Sequence, residues 1–223
     1  MYTESVAPEP VRAVVRCLWQ SISTGPKRIV PDGCVDLVAG DGVVFVAGPD
    51  TAAWSSLTPP GVALRGLRFH PGAAPAVLGV AADELRDLRL PLADLWGHRG
   101  ALLTDAVLSG TRTLTDVVST ATAEARPDET VAELLDHLHT APARVGTPPA
   151  AVSERQLRRR FTVAVGYGPA TYLRVLRLQR AIALAPRAPG LATLAARAGY
   201  ADQAHLSRDC RALTGLTAST YFS

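Results

Sequence analysis

The stretch from Ser153 to the C-terminus is cut at short intervals by residues that stop helices, and this punctuation constrains the fold more than any other feature. Ser153-Glu154-Arg155-Gln156 opens with an N-capping serine and a glutamine three residues on, the pattern of a capping box. Leu157 and Phe161 follow at i, i+4 spacing and share an arc, while Arg155, Arg158 and Arg159 fall on the opposite one. Val165-Gly166-Tyr167-Gly168-Pro169 ends that helix, and the fixed φ of Pro169 suits the first turn of the next. Val175, Leu178, Ile182 and Ala185 form an apolar stripe, which predicts one helix over 169–185, a rod of about 25 Å at ~1.5 Å per residue. Pro186 and Pro189-Gly190 stop it. Leu191–Tyr200 reads as a helix ending at Gly199, and Asp202 caps another that runs to Cys210. A helix, a glycine turn and a polar-faced helix make a helix-turn-helix. In its second helix Leu206 points inward, leaving Gln203, Ala204, His205, Ser207 and Arg208 for the outer surface.

Charge divides the chain at about the same place. Residues 1–140 carry 11 Lys+Arg against 17 Asp+Glu, a net of −6. Residues 141–223 carry 12 arginines against Glu154, Asp202 and Asp209, a net of +9. An acidic part joined to a strongly basic one predicts that the basic part meets a polyanion. Lys27 is the chain's single lysine, so nearly all positive charge is guanidinium, which grips guanine and phosphate in bidentate fashion.

The string LATLAARAGYADQAHLSRDCRALTGLTASTYF resembles the second helix-turn-helix and signature tail of the AraC/XylS family of transcription regulators. SERQLRRRFTVAVGYGPATYLRVLRLQRA is similar to that family's first recognition helix and its long linker helix. The resemblance covers residues 150–223 and implies two recognition helices entering successive major grooves about 34 Å apart. Carried over by position, the base-facing residues are Arg155, Arg158 and Arg159 in the first unit, and Gln203, Ala204, His205, Ser207 and Arg208 in the second. The partner implied is operator DNA, joined by RNA polymerase if the protein activates. Three departures stand out: Gly146-Thr147-Pro148-Pro149-Ala150-Ala151 replaces most of the first unit's supporting helix, Cys210 stands where phenylalanine is common, and Ala218 where the tail has proline.

The N-terminal part reads as strands over 28–30, 34–38, 43–47 and 62–69, separated by Pro31-Asp32-Gly33, Gly40-Asp41-Gly42 and Gly48-Pro49. Helices are expected at 73–79, 82–88, 99–109, 112–122 and 128–140, the last capped by Asp128 and striped by Val131, Leu134, Leu135 and Leu138. PDGCVDLV, VAGP, GLRFHPGAA and LADLW resemble an uncharacterised domain found ahead of AraC-type DNA-binding domains in bacteria. The resemblance implies a sensor or dimerisation module, with a small-molecule effector or a second copy of the chain as partner. Its candidate pocket residues are Asp32, Cys34, Asp36, Arg68, His70 and Trp96. The β-rich pattern is compatible with a cupin-like arrangement.

Cys34 near Asp36 and His70 raises a second reading, a thiol-dependent enzyme or alkyl acceptor with a DNA-targeting tail. Against it, a cysteine in a strand commonly packs as a small hydrophobe. Asp32, Asp36 and His70 offer metal-ligand types, yet an aspartate in a Pro-Asp-Gly turn serves the backbone, so no metal or cofactor is expected. His137 and His139 lie two apart on a helix and share no face.

No run approaches the ~18 apolar residues of a spanning helix, and the first ten residues lack a basic and then apolar leader, so neither membrane nor secretion is expected. Cys17, Cys34 and Cys210 are odd in number and far apart, which fits a reducing cytoplasm. The expected fold is α+β: an antiparallel β-rich domain with helices over residues 1–120, then an all-α double helix-turn-helix over 121–223. The charge split and the Pro-rich break at 141–149 predict a modular chain, in which residues from about 127 onward bind the operator alone.

Overall fold

The computed structural model describes residues 2–140 and 153–223. Its strands are β1 (Tyr2–Val6), β2 (Val15–Ile22), β3 (Lys27–Ile29), β4 (Asp36–Gly40), β5 (Val43–Ala47), β6 (Trp54–Ser56), β7 (Ala63–Phe69) and β8 (Arg89–Pro91). Six of them form one antiparallel sheet in the order β1-β2-β7-β4-β5-β8, and β3 pairs with β6 in a separate two-stranded ribbon. Helices α1 (Ala74–Leu78), α2 (Leu92–Leu108) and α3 (Leu114–Glu124) accompany the sheet. The all-helical part follows: α4 (Glu129–Thr140), α5 (Glu154–Val165), α6 (Pro169–Leu184), α7 (Leu191–Ala198), α8 (Gln203–Thr214) and α9 (Ala218–Tyr221). The architecture is the expected α+β arrangement. Among the described residues no helix is long and apolar enough to cross a membrane.

Alternation builds the first core. Leu37, Val44, Val46, Leu67 and Phe69 come from one face of the sheet and pack on Val77, Leu78, Leu92, Val107, Val117 and Val118 of α1 to α3. The second core gathers the stripes of the helical part: Val131, Leu134, Leu135 and Leu138 of α4, Leu157 and Phe161 of α5, Val175 and Leu178 of α6, and Leu194 and Leu206 of α7 and α8. Fully burying one such side chain contributes about 1.5–3 kcal/mol.

Several elements depart from the sequence expectation. Residues 82–88 form turns instead of a helix, because Asp87 adopts a φ of 60° and its carboxylate accepts from Thr51 N and Oγ1, both at 2.7 Å. The strand expected from Cys34 begins at Asp36, since the Asp32 carboxylate accepts from Cys34 N at 3.0 Å and prolongs the turn. β1, β2, β6 and β8 add strands that the sequence pattern did not mark. Gly97 kinks α2 with φ 56° and ψ −137°. The supporting helix expected near 142–151 lies outside the described residues.

The acidic and basic parts are docked against each other rather than strung apart. The turn Asp32-Gly33-Cys34 sits on the helical part: Gly33 has φ +81°, and a Cβ there would lie 2.7 Å from the Tyr172 ring. Gln179 of α6 donates to Pro31 O at 2.6 Å. The two halves therefore share a packed interface.

Candidate nucleic-acid interface

α5 is set by local chemistry. Ser153 Oγ accepts from Gln156 N at 3.3 Å, and Gln156 Oε1 accepts from Ser153 N at 3.1 Å, closing the capping box. Gly166, at φ +99°, ends the helix in the left-handed conformation that glycine adopts most readily. Leu157 and Phe161 are buried, which turns Arg155, Arg158 and Arg159 to the exposed side. Arg160 is different: its guanidinium grips the Asp128 carboxylate with two bonds of 2.6 Å, fastening α5 to the start of α4. Burial raises the Asp128 carboxyl, but the bonds from Arg160 and from backbone N–H groups outweigh it and hold it below the usual carboxylate range.

α8 is built in the same way. Asp202 Oδ1 caps it by accepting from His205 N at 2.6 Å, Leu206 and Cys210 are fully buried, and Gln203, Ala204 and Arg208 are exposed. His205 and Ser207 are half-buried. The His205 ring meets Tyr200 edge-on at 5.1 Å, and its Nε2 lies 3.7 Å from Asp209 Oδ2. Asp209 in turn accepts from Arg174 Nε of α6 at 2.8 Å. Arg174 and Asp209 therefore join the linker helix to the second outward-facing helix, a role the sequence reading did not give them. The signal was present: Asp209 is one of only three acids in a basic segment. Cys210 and Ala218 fill core positions, so both departures from the family pattern are accommodated by packing.

Residues 149–223 match the family described as "Helix-turn-helix domain", and residues 4–91 match "Domain of unknown function (DUF6597)". The chain carries an AraC-type helix-turn-helix domain behind a DUF6597 domain. It is a DNA-binding transcription regulator. No curated protein matches the chain. Among solved structures, ToxT from Vibrio cholerae at 1.65 Å resolution is similar with a TM-score of 0.44 and 11% identity, covering 90% of each chain. ToxT from Vibrio cholerae O395 is similar with a TM-score of 0.43 and 10% identity, covering 91% of this chain and 97% of that one.

A half-open cavity of about 610 Å³ lies between the sheet and the β3–β6 ribbon of the regulator's DUF6597 domain, with Gln179 of α6 also on its wall. Two similar arrangements of tryptophan, aspartate and arginine face it. Asp36 accepts from Trp19 Nε1 at 2.9 Å and from Arg68 Nε and Nη2 at 3.0 Å each. Asp50 accepts from Trp54 Nε1 at 3.0 Å and from Arg89 Nη2 at 2.8 and 2.7 Å, while Arg89 stacks 4.1 Å above the Trp54 ring. Of the expected pocket residues, Asp32, Cys34, Asp36 and Arg68 line this cavity. His70 and Trp96 are not among its lining residues. His70 is exposed just past β7, and Trp96 donates to Leu78 O at 2.9 Å between α2 and α1.

Burial, with Asp32 adding to it, pushes the Cys34 thiol well above its ordinary range, and the pull of Arg68 is weaker. The thiol therefore stays protonated at neutral pH and is a poor nucleophile, which weighs against the alkyl-acceptor reading. Burial also pushes the Asp36 carboxyl up to about 6 against the attraction of Arg68. Removing Arg68 leaves a buried carboxylate without its cation. Arg68→Ala is expected to lower stability by about 3 kcal/mol at pH 7.5, the low end for a buried pair that loses one partner. An acid whose folded pKa is raised loses stability as pH rises through that value, so the deficit of the variant shrinks as pH falls toward 5. Urea unfolding of both proteins at pH 5 and 7.5 checks this; an equal deficit at both pH values contradicts it.

Proposed function

We propose that this regulator reads two successive major grooves through α5 and α8, and that occupancy of the DUF6597 cavity by a small molecule modulates that reading. The observation that carries the first part is the repeated construction of the two helices. Each is capped by a side chain at its N-terminus, anchored by a buried apolar stripe, and left with a polar, arginine-bearing outer face. A short helix of this kind is what the major groove admits. α6, about 24 Å long at ~1.5 Å per residue, packs into the same core as both. The base-reading assignments are Arg155, Arg158 and Arg159 on α5, and Gln203, Ala204, His205, Ser207 and Arg208 on α8. A cavity of about 610 Å³ walled by Trp19, Trp54 and Phe45, with a few fixed polar groups, has the size and chemistry of a small-molecule site, which supports an effector.

The test is selection of DNA from a random pool by the purified full chain. Two short sequence elements with centres about one helical turn apart, ~34 Å, are expected. A single element, or none, contradicts the two-groove reading. For the cavity, a thermal-shift screen against small metabolites is expected to find compounds that raise the melting temperature, as any ligand selective for the folded state must.

A further inference from the structure

Both reader helices end against the N-terminal domain. At the end of α5, Val163 O accepts from Ala82 N at 2.8 Å and Gly166 O accepts from Arg86 Nη1 at 3.4 Å. Pro49 closes on the same turn, where a Cβ at Gly166 would lie 2.3 Å from its ring. At the end of α8, Leu213 O accepts from Ala53 N at 2.7 Å, and Thr214 O accepts from Arg28 Nη1. The last carbonyls of a helix have no partner within it and carry the negative end of its dipole, so an N–H group or a guanidinium there is favourable.

The groups that grip the two ends belong to one block. Asp87 N donates to Pro49 O at 3.1 Å, Gly48 N donates to Leu88 O at 3.0 Å, and Asp87 holds Thr51 with two further bonds. Arg28 lies opposite Ser55 in the β3–β6 pairing, and Ser55 is two residues along the chain from Ala53. A contiguous block made of residues 48–56, 82–88 and β3 therefore holds the C-terminal ends of both readers. The residues assigned to base contact lie toward the N-terminal ends, which the block leaves open.

We propose that this block is a clamp that fixes the separation and mutual tilt of α5 and α8, with Arg28 and Arg86 as positioning residues for DNA recognition. The proposal rests on the two-groove reading above. Two readers joined only through a linker helix could tilt about it, whereas readers also held at their far ends match one groove separation. The clamp thus makes the N-terminal domain part of the spacing specificity. Both arginines are exposed, so replacing them opens no cavity in a core.

The experiment uses the full chain and a set of duplexes carrying the two selected elements with the spacer altered one base pair at a time. The wild type is expected to prefer one spacing sharply. Arg28→Ala and Arg86→Ala are each expected to reduce the ratio of affinities between the best spacing and its neighbours about fivefold, the worth of one hydrogen bond. Base preference within each element and the salt slope should not change, and Arg28→Lys, which keeps a donor near the carbonyl, should restore part of the preference. Folding of each variant is checked by circular dichroism. Variants that retain the wild-type spacing preference overturn the clamp and leave the two-groove reading standing. A salt slope lowered by about 1 would show that the arginine contacts phosphate, and would also overturn it. A wild type indifferent to spacing overturns both.

Discussion

Affinity for the selected DNA is expected to fall by about two to four orders of magnitude between 50 and 200 mM salt, with log K against log salt sloping roughly −4 to −7. The expectation follows from the net +9 of residues 141–223 and from how the arginines are used. Arg155, Arg158, Arg159 and Arg208 face outward, and Arg197 and Arg211 are also exposed on α7 and α8. Neutralisation of about five to eight phosphates, by the base readers as they lie in the grooves and by outlying side chains such as Arg187, Arg197 and Arg211, would release condensed counterions in that proportion. Arg160 and Arg174 stand apart, because Asp128 and Asp209 hold them. Arg160→Gln should accordingly leave the slope unchanged while loosening α5 from α4. A slope near zero for the wild type would remove the nucleic-acid reading altogether.

Phe161→Ala is expected to lower stability by about 3–5 kcal/mol. The ring is fully buried and meets Tyr172 edge-on at 5.6 Å, in the core that carries α4, α5 and α6 together. Truncation removes the packing that sets the face of α5, so the arginines of that helix lose their common orientation. For a chain of this size the melting temperature should drop by about 6–20 °C. Differential scanning calorimetry measures it; a drop of a degree or two would mean that α5 is not anchored as described.

The local instructions for the helical part are legible in the sequence because they act over three or four residues. Ser153 with Gln156, Asp202 at the start of α8, and the glycines at 166 and 199 each do what their residue type dictates, and the apolar stripes face the core as their spacing requires. What the sequence concealed is carried over long separations or by exposed backbone. β1 has no buried alternation to read, since all five of its residues are exposed. The 82–88 segment has helix-forming residues, but Asp87 trades helix for its bonds to Thr51, a partner 36 residues away. His70 and Trp96 stood in the family-like strings with Asp36 and Arg68, yet only the last two face the cavity. Gln179 lies far along the chain from the PDGC turn, so nothing local announces that the linker helix closes on it.

The central claim is that α5 and α8 each read bases in a groove of their own. The measurement that meets it most directly is the affinity of Arg158→Ala and Arg208→Ala for every single-base variant of the selected site. Each substitution is expected to cost about 1–3 kcal/mol on the preferred sequence and to relax discrimination at its own positions, the two sets lying about one helical turn apart. A loss that is equal on all sequences, or relaxation by both variants at the same positions, would contradict the account.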